Sequence, residues 1–329
     1  MKILITGANG FVGSHLCEKL IKEGHFVFAL VRSPSKFKIL PSENMKVIKG
    51  DLDQEILEWM NEIPHDLDSV IHTAGIVHNF NTDEFFRINS QGTLHLVNNL
   101  KLKFKQLHFI LISSLAAGGP SLSHNKRQEN DLDLPVSLYG KSKKQAEVFL
   151  KDHAPKDYRL SVIRPPMVIG PRDSAVLDIF KMVKSRFILL PGINSLSKNY
   201  SFVCVFDLVQ TISLVLNSKK EESFYSAYPE HATFKVIIET IKTVMNKNFV
   251  IYLPMPIFII RFFSMFLAFI NKYIPLNIRL TPDKVFELEA LNWTCDSTKS
   301  ETVLSQVYNY DLDQTIKITF EDYKNAEWI

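Results

Sequence analysis

Cysteine is scarce in this chain, and its three cysteines, Cys17, Cys204 and Cys295, are far apart. They show neither the close spacing of metal ligands nor the pattern of a disulfide framework, so we expect no metal site and a reducing compartment. A surplus of one charge is also lacking, because 38 basic residues are balanced by 35 acidic ones and the net charge is +3. This balance argues against a nucleic-acid partner, which would require a concentrated basic surface.

The first residues, MKILITGANG, lack the charged start, apolar run and cleavage site of a signal peptide, so we expect a cytoplasmic protein. One stretch, residues 253–275, is strongly apolar, but Pro254, Pro256 and Arg261 interrupt it. A spanning helix needs about 20 apolar residues, and an arginine at mid-bilayer is costly. We expect a lid helix over an apolar pocket or an ordinary buried helix, and we keep contact with a membrane as a third alternative.

What the chain does contain at its start is a strand, a glycine-rich turn and a helix. The run KILIT, the turn GANGFVG and the periodic stretch SHLCEKLIKEG precede a second apolar run, HFVFALV, which predicts a βαβ unit and a parallel sheet. Glycine allows positive φ at such a turn and a close approach of the backbone to a pyrophosphate at the helix N-terminus. The turn therefore predicts a dinucleotide site, whose residues are Gly7, Asn9, Gly10, Phe11, Val12 and Gly13.

The motif TGANGFVG, with its GxxGxxG spacing, resembles the short-chain dehydrogenase/reductase superfamily and in particular its extended branch, the NAD-dependent epimerases and dehydratases. The resemblance implies an α/β fold, a doubly wound parallel (Rossmann) sheet with a smaller, partly helical C-terminal substrate-binding region. It assigns residues 1–170 to the dinucleotide domain, with a return near 200–216, and residues 171–199 and 220–300 to a substrate cap. Residues 301–329 would form a C-terminal helix and tail.

The end of the second predicted strand indicates which cofactor is preferred. An NAD enzyme usually has Asp or Glu here to bond the ribose, whereas ALVRSPSKF offers Arg32, Ser33 and Lys36. A guanidinium fork and a hydroxyl suit a 2′-phosphate, so we expect NADP, with NAD as the second choice. The alternative is that Arg32 is a solvated surface residue.

Three further residues match the family along the first half of the chain. By resemblance, Asp51 and Leu52 lie beside the adenine, although Asp51 could also cap a predicted helix over DQEILEWM. Asn89 matches a family asparagine that supports the active-site helix, while a plain packing role for it remains open. On the nicotinamide side, the resemblance assigns the residues after the fourth strand and those of RPPMVIGP after the sixth. These are Thr73, Ala74, Gly75, Pro165, Pro166, Met167 and Val168.

The motif YGKSK follows a predicted fifth strand that ends in two serines, Ser113 and Ser114. A helix that begins near Ser137 places Tyr139 and Lys143 at positions i and i+4, on one face. The resemblance implies that Ser114, Tyr139 and Lys143 form the catalytic set, with Ser113 as the alternative serine. Tyr139 would exchange a proton with the substrate oxygen, and Lys143 together with the positive nicotinamide would lower the pKa of Tyr139 from about 10. Lys143 would also bond the nicotinamide ribose, and Ser114 would bond the substrate oxygen.

The segment 200–216, YSFVCVFDLVQTISLVL, resembles the family segment that returns to the sheet, with Asp207 as the expected N-cap of a helix. Nucleotide-sugar enzymes tend to have Arg-Asp where this chain has Tyr200 and Ser201, which argues against a nucleotide-sugar substrate. Nearby basic residues could meet phosphates or be solvated surface charges. These are Lys184, Arg186 and Lys198.

The C-terminal pattern, LNWTCDSTKSETVL and onward, resembles the 3β-hydroxysteroid dehydrogenase and dihydroflavonol reductase-like branches. We therefore expect an NAD(P)-dependent oxidoreductase that reduces a carbonyl or oxidises a secondary alcohol of an apolar small molecule. The alternatives are a nucleotide-sugar epimerase or dehydratase with tightly bound NAD, and a non-catalytic dinucleotide-binding protein. By resemblance, helices over 83–102 and 138–154 would form a homodimer surface.

Overall fold

The computed structural model describes residues 1–37, 39, 41–122, 125–276 and 278–329, without the side chain of Lys36. The strands are β1 (Lys2–Thr6), β2 (Phe26–Val31), β3 (Met45–Lys49), β4 (Ser69–His72), β5 (His108–Ile112), β6 (Arg159–Arg164), β7 (Met167–Ile169), β8 (Phe187–Pro191), β9 (Asn199–Tyr200), β10 (Phe202–Cys204), β11 (Ser223–Tyr225), β12 (Ala232–Thr233), β13 (Ile251–Met255) and β14 (Asn292–Trp293).

The α-helices are α1 (Phe11–Lys22), α2 (Asp83–Phe85), α3 (Gly92–Lys103), α4 (Leu115–Gly118), α5 (Leu138–His153), α6 (Leu177–Ser185), α7 (Val205–Ser218), α8 (Phe234–Val244), α9 (Ile257–Asn271), α10 (Pro282–Glu289), α11 (Thr298–Leu304) and α12 (Leu312–Asn325). A π-helical segment, Phe86–Gln91, joins α2 to α3. Short 3₁₀ helices cover Pro34–Lys36, Glu58–Glu62 and Ser195–Ser197.

A parallel sheet of seven strands forms the centre of the molecule, in the order β11-β6-β5-β4-β1-β2-β3. Along β1 the side chains alternate between two cores, because Ile3 and Ile5 pack with α1 and α7 while Leu4 packs with α3 and α5 on the other face. All three side chains are fully buried, and burial of each stabilises the fold by about 1.5–3 kcal/mol. The predicted doubly wound α/β sheet is confirmed.

The C-terminal part adds small sheets and helices beside this core. Strand β10 pairs with β7, β13 pairs with β8, and β9 lies between β12 and β14. Helices α6, α8 and α12 enclose a third apolar cluster that includes Phe180, Ile238 and Tyr323. In the segment 200–216, β10 lies outside the central sheet and α7 packs against α1. The chain re-enters the central sheet at β11. The residues of β11 fall within the range 220–300, which the family resemblance assigned to the substrate cap.

Two local predictions are wrong. No α-helix covers residues 53–60, and the structure instead has the 3₁₀ helix Glu58–Glu62, whose N-cap is Leu57. The Asp51 carboxylate does not cap a helix, because it accepts the backbone N–H of Leu52. The Trp59 indole packs against Gly50 and donates to the Asp51 carbonyl, a tertiary contact that overrides helical propensity. Asp207 is not an N-cap either, because α7 begins after Cys204 and the Asp207 carboxylate accepts the backbone N–H groups of Asn309 and Tyr310.

The apolar stretch 253–275 forms the end of β13 and helix α9. Within the described ranges, no helix is both long enough and apolar enough to cross a membrane. Of the three alternatives for this stretch, the ordinary buried helix is wrong, since only Ile260, Ser264 and Leu267 of α9 are buried. Helix α9 packs against α10 and leaves most of its other apolar side chains exposed.

A buried ion cluster joins α5 to the end of the central sheet. The Arg164 guanidinium, at the end of β6, donates to both carboxylate oxygens of Glu147 on α5, at 2.8 and 2.5 Å, and to Asp133 at 2.7 Å. The Ser113 hydroxyl donates to the same Glu147 carboxylate at 2.6 Å. Arg164 is 4% exposed and Glu147 is 9% exposed, so each buried charge is stabilised by the opposite charge of the other and not by water.

We therefore expect Arg164→Met to lower the free energy of unfolding by about 3–5 kcal/mol, because it leaves the buried Glu147 carboxylate without its main partner. Urea denaturation followed by circular dichroism measures this change. The matched control is Arg87→Met, which removes an exposed pair with Asp53 and Glu84 and should cost less than about 1 kcal/mol. Equal losses in the two variants would contradict the prediction.

Candidate functional site

The site residues predicted from the sequence follow the carboxyl ends of six neighbouring parallel strands. Since such ends share one edge of the sheet, the fold brings these segments together where open α/β sheets bind ligands. In strand order from β1 to β6, they are Gly7–Gly13, Arg32, Asp51 with Leu52, Thr73–Gly75, Ser114, and Pro165 with Pro166, which leads to Met167 and Val168 on β7.

The turn after β1 is shaped for close approach. Gly7 has φ +68°, and a Cβ on it would lie 2.7 Å from the backbone of Ala74, in the loop after β4. A Cβ on Gly13 would lie 2.3 Å from the Gly7 carbonyl oxygen. Helix α1 starts at Phe11 with neither a capping side chain nor an acidic residue in its first turn. Its N-terminal N–H groups are therefore suited to an anion such as a pyrophosphate.

At the next two strand ends, Arg32 is exposed directly after β2, and it forms no ion pair with any residue that the structure describes. Ser33 follows it and is half-buried, while the Lys36 side chain lies outside the described atoms. After β3, Asp51 is exposed and Leu52 is 7% exposed. This edge therefore presents a free guanidinium beside a carboxylate and an apolar side chain.

Tyr139, Lys143 and Ser114 lie together at the N-terminal part of α5. The helix begins at Leu138, where the Ser137 hydroxyl accepts the Gly140 N–H, and this start places the Tyr139 phenol within hydrogen-bonding reach of the Ser114 hydroxyl. The Lys143 ammonium donates to the Ile112 carbonyl at 2.8 Å. Ser113 points instead to Glu147, so the geometry selects Ser114 as the serine that faces Tyr139.

The electrostatics of this group differ from the expected ones. Burial raises the pKa of Tyr139 to about 12, a hydrogen bond from Ser114 opposes the rise, and the Glu287 carboxylate adds to it. Burial lowers the pKa of Lys143 to about 8, against the attraction of Glu147. The Lys143 ammonium points to the Ile112 carbonyl, and its expected joint effect with the nicotinamide on the pKa of Tyr139 stays a prediction.

Asn89 lies in the π-helical segment and connects two parts of the site. Its side chain accepts the Ile76 N–H at 2.8 Å and donates to the Ser142 hydroxyl on α5 at 3.0 Å. The backbone carbonyl of Asn89 accepts a hydrogen bond from the Thr93 hydroxyl. This hydroxyl lies 3.0 Å from Nε2 of His72. Burial lowers the pKa of His72 to about 3, so this imidazole is neutral. Asn89 therefore bonds to the helix that carries Tyr139.

Sequence reasoning missed two carboxylates from α10. Asp283 accepts the backbone N–H groups of Leu138 at 2.7 Å and Tyr139 at 3.1 Å, and Glu287 accepts the Ser137 hydroxyl at 2.7 Å. Asp283 is 144 positions from Tyr139 in the chain, so local spacing gave no sign of the contact. The only signal was the helix start Thr-Pro-Asp at 281–283, which predicts an N-terminus but no partner.

The surroundings of Tyr139 are mainly apolar. Its ring packs edge-on against Phe85, with centroids 6.0 Å apart, and belongs to a cluster with Ala116 and Trp293. Tyr200 pairs with Trp293 across β9 and β14, and its pKa is raised to about 12 by burial and by Glu287. These aromatic residues give Tyr139 apolar neighbours, next to the Glu287 carboxylate of α10.

The three basic residues named for phosphate contact do not act as a group. Lys198 is 4% exposed, and its ammonium donates to the Leu288 carbonyl, so it is not a solvated surface charge. Lys184 and Arg186 are exposed, and the Arg186 guanidinium lies over the Phe249 ring, 4.6 Å from its centroid.

Comparison with known proteins identifies the relatives of this fold and site. The family model of the NAD dependent epimerase/dehydratase family matches residues 3–227. A ceramide reductase of Caulobacter vibrioides is 28% identical over 196 residues, 60% of this chain and 55% of its own length. A 3 beta-hydroxysteroid dehydrogenase/Delta 5-->4-isomerase of Mycobacterium tuberculosis is 27% identical over 216 residues, 61% of this chain and 57% of its own. The chain thus spans little more than half of each of these two relatives.

Among solved structures, the UDP-glucose 4-epimerase of Thermus thermophilus in complex with NAD superposes with a TM-score of 0.77. The match covers 99% of this chain and 100% of that one at 19% sequence identity. At that identity the likeness shows a shared fold.

The lowered pKa of Lys143 predicts a pH dependence of stability. Between the folded pKa of about 8 and the unfolded value of 10.5, the unfolded chain binds more protons, so the wild-type free energy of unfolding gains a contribution that rises with pH. Lys143→Met lacks this contribution. We expect wild type to gain relative to the variant by about 1 kcal/mol per pH unit in this window.

Urea denaturation at pH 7.5, 8.5 and 9.5 measures the difference between wild type and Lys143→Met. The control is Lys141→Met, on the exposed side of the same helix, whose difference from wild type should not change with pH. A difference for Lys143→Met that stays constant over this range would show that the ammonium is not desolvated.

Proposed function

Because the chain belongs to the NAD-dependent epimerase/dehydratase family, we propose that it is an NADP-preferring oxidoreductase acting on a carbonyl or secondary alcohol of an apolar small molecule. The observation that carries this proposal is the phenol of Tyr139, in reach of the Ser114 hydroxyl and packed against Phe85 and Trp293 in an apolar setting. A proton donor in such a setting suits carbonyl chemistry on a substrate without charge.

The chain fits a nicotinamide dinucleotide, since the N-terminus of α1 has neither a capping side chain nor an acidic residue in its first turn, and Gly7 and Gly13 let the turn pack closely beside it. The turn residues Gly7 to Gly13 would hold the pyrophosphate and Arg32 the 2′-phosphate, with Asp51 and Leu52 at the adenine. Thr73 to Gly75 and Pro165 to Val168 would line the nicotinamide side. When bound, the dinucleotide supplies or accepts the hydride at the substrate carbon.

The proton is handled by the chain itself. In reduction, the Tyr139 O–H bond breaks and its proton goes to the carbonyl oxygen, while the Ser114 hydroxyl donates a hydrogen bond to the same oxygen. A pKa of about 12 keeps Tyr139 protonated at neutral pH, which is the state that reduction requires. Lys143 would then bond the nicotinamide ribose, and Asn89 would hold α5 in place.

The apolar substrate is supported by Tyr200 and Ser201, which are not ionic, and by Lys198, whose ammonium is already bonded to the Leu288 carbonyl. Ceramide reductase and 3 beta-hydroxysteroid dehydrogenase, by their names, act on apolar compounds. The second candidate is a nucleotide-sugar epimerase or dehydratase with retained NAD, favoured by the likeness to UDP-glucose 4-epimerase. Dinucleotide absorbance that co-purifies with the protein would favour this second candidate.

The first test concerns the cofactor. Calorimetric titration should show NADPH binding at least about tenfold more tightly than NADH, because the Arg32 guanidinium can bond a 2′-phosphate in a bidentate way. Arg32→Ala should erase the preference, and Arg32→Lys should keep part of it, since the charge remains but the fork is lost. Equal or tighter binding of NADH by wild type would overturn the NADP preference and favour the epimerase.

The second test concerns the serine and the tyrosine. With NADPH and a panel of apolar ketones, Tyr139→Phe should lower kcat/KM by about 10²–10⁴-fold, because it removes the hydroxyl that gives the proton in the proposed step. Ser114→Ala should lower it by about 10²-fold or more through loss of the donor to the substrate oxygen. Ser113→Ala is the matched control, since this hydroxyl points to Glu147, and it should act mainly on stability. A larger loss of kcat/KM in Ser113→Ala than in Ser114→Ala would contradict the assignment.

A further inference from the structure

Helix α9 exposes an apolar surface that packing within the protein does not explain. Its buried side chains form one narrow stripe, whereas Phe258 and Phe262 are 70% and 73% exposed. Single exposed apolar residues are normal on proteins, but a continuous face of this kind marks an interaction site. We define the α9 face by its exposed apolar side chains, which are Phe258, Ile259, Phe262, Phe263, Met265, Phe266 and Phe269.

A second exposed apolar surface lies on the strand pair that precedes α9. In the register of β8 and β13, Phe187 is opposite Ile251 and Leu189 is opposite Leu253, and all four side chains are exposed. The alternate residues Ile188 and Leu190 are buried, so the pair has an inner apolar side and an outer apolar side. Only Pro256 separates β13 from α9.

The charges of these two segments all have one sign. Residues 179–206, which contain β8, have four basic and no acidic residues, and residues 240–282, which contain β13 and α9, have five basic and no acidic residues. Several of them are exposed and form no ion pair with any described residue, namely Lys181, Lys184, Arg186 and Lys272. Of these, Arg186 directly precedes β8 and Lys272 directly follows α9, so unpaired cations adjoin both exposed apolar surfaces.

We infer that the α9 face and the outer side of β8 and β13 dock on an anionic lipid bilayer, with α9 lying in the interface. Apolar side chains inserted at the level of the head groups and cations that meet anionic lipids are the features of interfacial helices. A second copy of this chain is a poorer occupant, because a two-fold interface would place this basic surface against the same basic surface of the partner, and the cations would repel each other.

The location of this surface relative to Tyr139 connects membrane docking to the proposed reaction. Arg261 of α9 pairs with Glu289 at the end of α10, and its guanidinium lies 5.7 Å from the centroid of the Phe286 ring. Helix α10 also carries Asp283, which holds the backbone of Tyr139. A substrate dissolved in the bilayer would therefore meet the protein one helix away from the catalytic tyrosine. This connection rests on the proposed function, whereas the docking itself does not.

The test is co-sedimentation of the full chain with vesicles of phosphatidylcholine alone and of phosphatidylcholine mixed with phosphatidylglycerol, without cofactor or substrate. We expect wild type to bind the anionic vesicles, and to bind neutral ones at least about fivefold more weakly. Phe262→Glu should reduce binding by at least about tenfold, because it removes a large apolar side chain from the interface and adds a negative charge. Leu132→Glu, at a 77% exposed position in the loop before α5, is the matched control and should bind like wild type.

The charge contribution is tested separately with Lys272→Glu, which should weaken binding to anionic vesicles by about fivefold or more. Its control is Lys156→Glu, an exposed lysine in the loop before β6, which should have no effect. Wild type that remains in the supernatant with anionic vesicles, or Phe262→Glu that sediments like wild type, would overturn the inference. So would a dimer seen by light scattering without vesicles that Phe262→Glu dissociates.

The calorimetric titration with NADPH keeps this inference distinct from the proposed function. Loss of vesicle binding in Phe262→Glu with normal binding of NADPH shows that the variant is folded and that the docking surface has been removed. Vesicle binding by a wild-type protein that prefers NADH would refute the proposed cofactor and leave the docking intact.

Discussion

The contact between Asp283 and the start of α5 is the constraint on which the geometry of the site depends. Its carboxylate, 5% exposed, accepts the N–H groups of both Leu138 and Tyr139. A carboxylate at a helix N-terminus is stabilised by the helix dipole, and two charge-assisted bonds fix the helix start in position. Since Tyr139 is the second residue of α5, its phenol is positioned by a residue of α10 and not by the central sheet alone.

This arrangement links the two parts of the molecule at the reacting group. The Rossmann part supplies Ser114 at a strand end, and the ion cluster of Arg164 and Glu147 holds α5 against the same sheet edge. A single helix from the C-terminal part of the chain, α10, supplies Asp283 and Glu287. Any shift of α10 would therefore move the backbone of Tyr139 relative to the hydroxyl of Ser114, while the anchor at Glu147 would stay in place.

The sequence predicted most of what depends on local pattern. Apolar runs with β-branched residues located the first six strands of the sheet, and the spacing of Tyr139 and Lys143 correctly placed both on one face of a helix that begins after Ser137. It failed where a specific contact between a side chain and the backbone, near or far in the chain, decides the outcome. Trp59 bonds to the Asp51 carbonyl and displaces a predicted helix, and Asp207 is used by Asn309 and Tyr310 instead of capping α7.

The pKa of Tyr139 could not be predicted from the motif for the same reason. The motif places an ammonium four residues away and so favours a lowered value, but the value depends on what surrounds the phenol in three dimensions. Burial under Phe85 and Trp293 disfavours the phenolate, and the Glu287 carboxylate, 148 positions further along the chain, repels it. Only a cation brought close to the phenol would reverse this balance, so the acidity of Tyr139 is a property of the loaded site and not of the five-residue motif.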